Sequence, residues 1–96
     1  MFIISLTYTA DIQQIEAHLE AHKQYLQEQY DAGHFIASGR KVPRTGGIIL
    51  ARSESMELLE PIISADPFHL HKLAEYEITE FMPTMVGDEF RNLLGV

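Results

Sequence analysis

The stretch Asp11-Ile12-Gln13-Gln14-Ile15-Glu16-Ala17-His18-Leu19-Glu20-Ala21-His22-Lys23-Gln24-Tyr25-Leu26-Gln27-Glu28-Gln29-Tyr30-Asp31-Ala32 decides the fold. Ile12, Ile15, Leu19, Leu26 and Tyr30 fall on one stripe, and His22 fills the gap between Leu19 and Leu26. With His22 included, every step along the stripe is three or four residues, the signature of one amphipathic helix. Asp11 offers an N-cap, and Gly33 offers a left-handed end. His22 therefore stands where the period asks for leucine. A titratable ring near a buried face needs a polar partner or it lowers stability. Finding that partner is the main problem the sequence sets.

The flanking segments supply the rest of the order. Phe2 to Thr9 is apolar and β-branched and reads as a buried strand. Phe35 to Ser38 reads as a second strand, and Gly39 to Gly47 as a loop rich in Gly, Pro and basic residues. Gly47 to Arg52 reads as a third strand. Ser53 can cap a second helix through Leu59. Pro61 predicts a kink or an early stop, since an interior proline costs ~3 kcal/mol or more. Asp66-Pro67 restarts helix, with Asp as cap and Pro at the first helical position. That helix runs to about Leu73, and Glu75 to Phe81 is the last strand. Beyond Pro83 the pattern names no element; Phe90, Leu93 and Leu94 can form a docked turn or a flap onto a partner.

The order β-α-β-β-α-β is the split βαβ, ferredoxin-like α+β arrangement. It has an antiparallel sheet with both helices on one face. The expectation is one domain over residues 1–96, with a core of about 1–82 and a C-terminal tail of 83–96. The other sheet face needs a cover. A second copy of the same sheet is the simplest one, so a homodimer or a higher even oligomer is expected.

Composition narrows the partners. Hydrophobic residues make up 46 % and charged residues 22 %, as in ordinary globular chains. The formal charge of −7 argues against nucleic acid and against anionic membrane surfaces. There is no cysteine, which removes disulfide and thiolate chemistry. No apolar run approaches the ~20 residues of a membrane span. Met1 to Leu6 lacks the basic flank and cleavage site of a signal peptide. A soluble, cytoplasmic protein is the expectation.

The first chemical candidate is His22 with Asp66. A carboxylate near the ring would fix its tautomer and raise its basicity, making an acid–base pair without metal or cofactor. The plain alternative is a core histidine bonded to a carbonyl, with Asp66 acting only as an N-cap. The second candidate is Ser38-Gly39-Arg40-Lys41. Here the glycine would permit a turn, Ser38 would offer a hydroxyl, and Arg40, Lys41 and Arg44 would attract a carboxylate or phosphate. The alternative is a solvated loop. His18 and His22, four apart, have a spacing that can bind zinc, but His18 sits at the stripe's edge and no His-Glu-x-x-His is present. Neither a metal nor a cofactor is therefore expected. Tyr8 and Phe68, with Tyr25 and Tyr30, can wall a pocket or belong to the core. Gly46-Gly47 fits a turn and matches no phosphate loop.

Taken together, these residues resemble the YCII-related family. The marks are the N-terminal strand, His22 in the first helix, Ser38-Gly39 before a variable loop, and Gly46-Gly47 opening a strand. Asp66-Pro67-Phe68 and a Tyr76-x-Ile78 strand complete them. The resemblance covers about Met1 to Phe81. It implies a dimeric α/β barrel, in which two ferredoxin-like protomers pack sheet to sheet. It also implies an active-site pair at His22 and Asp66, with a ligand pocket near them and the Ser-Gly turn. Family members with a known reaction look like cofactor-free lyases or isomerases acting on small ring compounds, some removing chloride from chlorinated aromatics. The chain departs from the family pattern at Arg40, where proline commonly follows Ser-Gly, and at Pro61.

Two functions follow as expectations. In the first, a small enzyme uses His22 and Asp66 to move a proton on a small, anionic, cyclic or enol-like metabolite. Ser38, Gly39, Arg40, Tyr8 and Phe68 would hold that substrate. In the second, the same pocket belongs to a non-catalytic small-molecule-binding or assembly module.

Overall fold

A computed structural model describes residues 1–96. Strand β1 (Phe2–Tyr8) is followed by helices α1 (Ile12–Ala17) and α2 (Leu19–Asp31), then by strands β2 (Phe35–Arg40) and β3 (Gly46–Ala51). Helices α3 (Met56–Ser64) and α4 (Pro67–Leu70) lead into β4 (Ala74–Glu80). The order is βαββαβ with each helical layer divided in two. The four strands lie in the order β2-β3-β1-β4, and every neighbouring pair is antiparallel.

Alternation along β1 sets the two faces of the sheet. Phe2, Ile4 and Leu6 are buried under the helices, whereas Thr7 is exposed and Ile3 and Ser5 are half-buried. The core joins these β1 residues to Ile49 and Ala51 of β3, Ile15, Tyr25, Leu59, Ile63 and Phe68 of the helices, and Leu73. The opposite face carries Ile3, Ile48 and Leu50 at its centre and Glu75 and Glu77 along β4. Nothing within the chain covers it.

The long helix read from residues 11–32 is broken at His18 (φ −111°, ψ 6°). The His18 Nδ1–H donates to the Gln14 carbonyl at 3.1 Å, while the His18 backbone N–H turns to Ile15 O. A side chain has taken over the bond that the backbone would make. The apolar stripe crosses this break without losing phase, so periodicity does not register it. Pro61 does not end α3, contrary to the expected early stop: the helix runs on to Ser64. The proline sits exposed between buried Leu59 and Ile63. The carbonyl it leaves without a donor belongs to exposed Glu57, where water can bond it.

The expected loop also begins later than the glycine suggests. Strand β2 runs through Ser38 and Gly39 to Arg40, with a bulge between Phe35 and Ala37. The turn is confined to residues 41–45 around a cis Val42–Pro43 bond. Gly39 thus lies in a strand, and the glycine with a steric duty is Gly46. A Cβ there would stand 1.8 Å from the Leu6 carbonyl oxygen. After α4, Lys72 adopts a left-handed conformation (φ 56°), and Leu73 returns to the core. The tail forms a 3₁₀ turn over Asp88–Leu93 and closes on the start of the chain. Gly95 N–H donates to Pro83 O, and the Met1 ammonium donates to the carbonyls of Phe81 and Val96. Phe90 and Leu94 remain half exposed. No helix is long and apolar enough to cross a membrane.

Candidate active site

The polar partner of His22 is Asp66. The two come from elements far apart in sequence: His22 from the middle of α2, and Asp66 from the N-cap of α4. The His22 Nδ1 lies 2.7 Å from Asp66 Oδ1. The Asp66 side chain is 1 % exposed and that of His22 is 12 % exposed. Asp66 is also the helix cap that its sequence context suggested. Its Oδ1 accepts the Phe68 backbone N–H at 3.0 Å, and its Oδ2 accepts the Tyr76 hydroxyl at 2.6 Å. Three donors thus converge on one buried carboxylate, so neither of its oxygens is left unpaired. Capping and pairing with histidine turn out to be complementary roles of one side chain.

The carboxylate also dictates the tautomer. An acceptor facing Nδ1 places the proton of a neutral ring on Nδ1, which leaves the Nε2 lone pair free. Nε2 has no partner within the chain and is not sealed from solvent. Phe68 fixes the ring plane. It lies parallel to His22, 4.0 Å between centroids and 4° between planes, and is itself held edge-on by Tyr8 at 6.0 Å.

Behind the pair, Tyr25 donates to Ile62 O at 2.7 Å. Burial pushes the Tyr25 phenol above its ordinary value of 10.0, and the charge of Asp66 adds to the effect. Tyr76 is held still further above that value, first by burial and then by the charge of Asp66 and its hydrogen bond. Both phenols are therefore neutral donors throughout the physiological range.

His22 opens into a cavity of about 260 Å³ between α2 and strands β1, β2 and β3. Leu6, Tyr8, Leu19, Leu26 and Ile49 supply its apolar surface, and Lys23, Arg40 and Arg44 supply positive charge. Arg44 is paired with Glu16 at 3.2 Å, while Lys23 and Arg40 form no ion pair. Ser38 lines the cavity with its Oγ 2.5 Å from the Tyr30 hydroxyl.

Of the residues singled out from sequence, His22, Tyr8, Ser38, Gly39 and Arg40 share this cavity. Asp66 and Phe68 do not reach its wall; they stand behind the ring, so Phe68 supports His22 and does not face a ligand there. The basic cluster also divides. Lys41 turns to Thr7 Oγ1 at 3.2 Å, on the uncovered side of the sheet, leaving Arg40 and Arg44 at the cavity. The His18 ring has partners other than His22. It bonds Gln14 and lies 4.2 Å from the ring of His71. Sequence reasoning missed Tyr76 as a partner of Asp66 and Lys23 as a cavity cation. Tyr76 could have been found from alternation, since it sits opposite Leu6 on the helix-facing side of β4.

Comparison with known proteins agrees with the fold. The YCII-related domain matches residues 1–82, and the chain belongs to that family. A comparison with curated proteins finds no match. Among solved structures, a similar one is 5-chloro-2-hydroxyhydroquinone dehydrochlorinase (TftG) from Burkholderia phenoliruptrix AC1100, in complex with 2,5-dihydroxybenzoquinone. The TM-score is 0.73 at 17 % sequence identity, and the match covers 92 % of this chain and 96 % of that chain. At this identity the likeness is one of fold.

Proposed function

We propose that the protein is a small cofactor-free enzyme in which His22 transfers a proton on a small, anionic, cyclic or enol-like metabolite. The observation that carries this reading is the 2.7 Å contact between Asp66 and Nδ1 of a ring whose other nitrogen is free at a cavity. Nε2 would accept a proton from an O–H or an activated C–H. The electron pair left behind would spread over the conjugated substrate as an enolate. The proton would then return at another atom, completing an isomerisation, or a leaving group would depart with the pair, completing an elimination. Asp66 would stabilise the imidazolium formed on the way. No step calls for a metal or a cofactor.

The cavity's size and charge support the substrate class. At about 260 Å³ it lies below the roughly 300–1,000 Å³ of most ligand pockets, which restricts it to a small molecule. Apolar walls suit a ring, while Arg40 and Lys23 suit its negative charge. Ser38 would donate to a substrate oxygen. The ligand of the dehydrochlorinase, 2,5-dihydroxybenzoquinone, is a molecule of this kind and serves as the probe. The uncovered sheet face, with Ile3, Ile48 and Leu50 at its centre, supports assembly as a homodimer.

The test adds 2,5-dihydroxybenzoquinone and a panel of chlorinated hydroxyhydroquinones to wild type and to His22→Gln. Chloride release and deuterium incorporation from D₂O are then followed by NMR. The proposal expects wild-type turnover that His22→Gln loses while keeping its fold. Binding without exchange or elimination across the panel would instead identify a non-catalytic small-molecule-binding module.

A further inference from the structure

We propose that Tyr76 is a positioning residue that sets the basicity of His22 by sharing the charge of Asp66. Asp66 has two oxygens and two side-chain claimants: His22 on Oδ1 at 2.7 Å, and Tyr76 on Oδ2 at 2.6 Å. Tyr76 comes from β4, whereas His22 comes from α2, so the carboxylate is gripped from opposite layers of the fold. A carboxylate that gives density to one strong donor has less to give to the other. When His22 is neutral, Asp66 bears its full charge and the Tyr76 bond is at its strongest. When His22 takes a proton, the imidazolium neutralises much of that charge and the Tyr76 bond weakens. Tyr76 therefore favours the neutral ring, which is the form a base needs.

The surroundings leave this role to Tyr76. Of the titratable groups nearby, Tyr25 on α2 spends its hydroxyl on Ile62 O. His18 and His71 pack on each other, and the His69 ring meets the Tyr76 ring edge-on at 5.3 Å. Tyr8 on β1 touches Phe68 by its ring, and Lys23, Arg40 and Arg44 stand around the cavity. Glu75 and Glu77 point to the other side of the sheet. The Phe68 N–H also bonds Asp66, but it is fixed backbone and shares Oδ1 with His22. Tyr76 is thus the one side chain besides His22 that bonds the carboxylate.

This inference rests on the reading of His22 as a proton-transfer base, but its test needs no turnover. The His22 ring is titrated by NMR in the full chain, in wild type and in Tyr76→Phe, with the amide fingerprint confirming the fold. The expected result is that the His22 midpoint moves to higher pH in Tyr76→Phe. A purely structural tyrosine would leave that midpoint in place, and an unchanged or lowered midpoint in a folded variant overturns the proposal. The unmodified protein gives a second reading that does not depend on the variant folding. The Tyr76 Cζ resonance should move toward that of a more weakly bonded phenol as His22 takes its proton, with the same midpoint. A Cζ shift that stays constant through the His22 titration also overturns the proposal. If both signals behave as expected while no substrate is turned over, the tuning stands and the catalytic reading falls.

Discussion

Phe68 and His22 lie face to face, 4.0 Å apart and within 4° of parallel, with the Asp66 carboxylate at the edge of the imidazole. The contact is the direct result of the Asp66-Pro67-Phe68 order. Asp66 caps α4, Pro67 opens it, and Phe68 falls beneath the ring that Asp66 holds. Phe68 is 1 % exposed, so its own burial anchors the clamp. Phe68→Leu keeps most of that apolar volume and should cost about 1.5 kcal/mol or less. It removes the flat surface, however, and His22 should gain rotamer freedom. The expected outcome is a small drop in urea midpoint together with averaged His22 ring signals. If the ring stays as ordered as in wild type, Asp66 alone positions it.

Asp66→Asn separates the charge of this residue from its shape. Asparagine is a good N-cap, and its oxygen can still accept the Phe68 N–H. Tyr76 can turn its hydroxyl to accept from the new amide. Stability should therefore fall by only about 1 kcal/mol. The imidazolium would lose its counter-charge, and proton transfer should fall by roughly 10²–10⁴-fold. Asp66→Ala would instead strand buried donors and remove the cap, at about 1–3 kcal/mol for each group left unpaired. Parallel urea melts and rate measurements on the two variants check the contrast. Equal stability losses would mean that the carboxylate shape contributes nothing.

How much of this was legible in the sequence varies with the kind of interaction. The βαββαβ order could be read from the strand and helix patterns, and the stripe interrupted by His22 called for a polar partner; that Asp66 supplies it was implied by the family resemblance, since an Asp-Pro cap alone fits a plain N-cap equally well. The break at His18 left none, because a side-chain bond to Gln14 O replaces a backbone bond without shifting the stripe. Pro61 misled because its cost depends on which side of α3 it occupies, and that is decided by tertiary burial of Leu59 and Ile63. Gly39 and Gly46 exchanged roles for a similar reason. Only strand pairing shows that the Leu6 carbonyl approaches Gly46. Alternation along β4 could place Tyr76 on the helix-facing side, but its bond to Asp66, ten residues away across a turn, lies beyond any local period.

Alkaline pH should weaken the fold through its buried phenols. In the unfolded chain Tyr25 and Tyr76 ionise near 10.0, while in the folded chain both retain their protons to higher pH. Above pH 10 the native state therefore binds more protons than the unfolded state, and stability falls as pH rises. Below pH 10 both phenols are neutral in either state and add no slope. Each can contribute a loss of up to about 1.4 kcal/mol per pH unit above that point. Tyr25→Phe should start less stable, having lost its bond to Ile62 O, but should fall less steeply between pH 10 and 11. Urea midpoints measured from pH 8 to 11 give the two slopes, and identical slopes would show that Tyr25 ionises as easily in the fold as outside it.

Gly46→Ala tests whether the cavity wall depends on the close approach of two strands. Gly46 is buried opposite Thr7, and its missing side chain lets β3 pass beside β1. The atom that an added methyl meets is the Leu6 carbonyl oxygen at 1.8 Å. That oxygen is backbone, so no rotamer change relieves the contact. The strands must part locally, and overpacking of this kind costs about 1–3 kcal/mol. The shift would fall on Leu6, Gly46 and Gly47, all of which line the cavity beside His22. A lowered melting temperature should accompany weaker ligand binding. Ala substitution at Gly39, where an added Cβ meets nothing within 4 Å, serves as the control and should leave stability nearly unchanged. Equal melting temperatures for the two variants would show that β1 and β3 have room to spare.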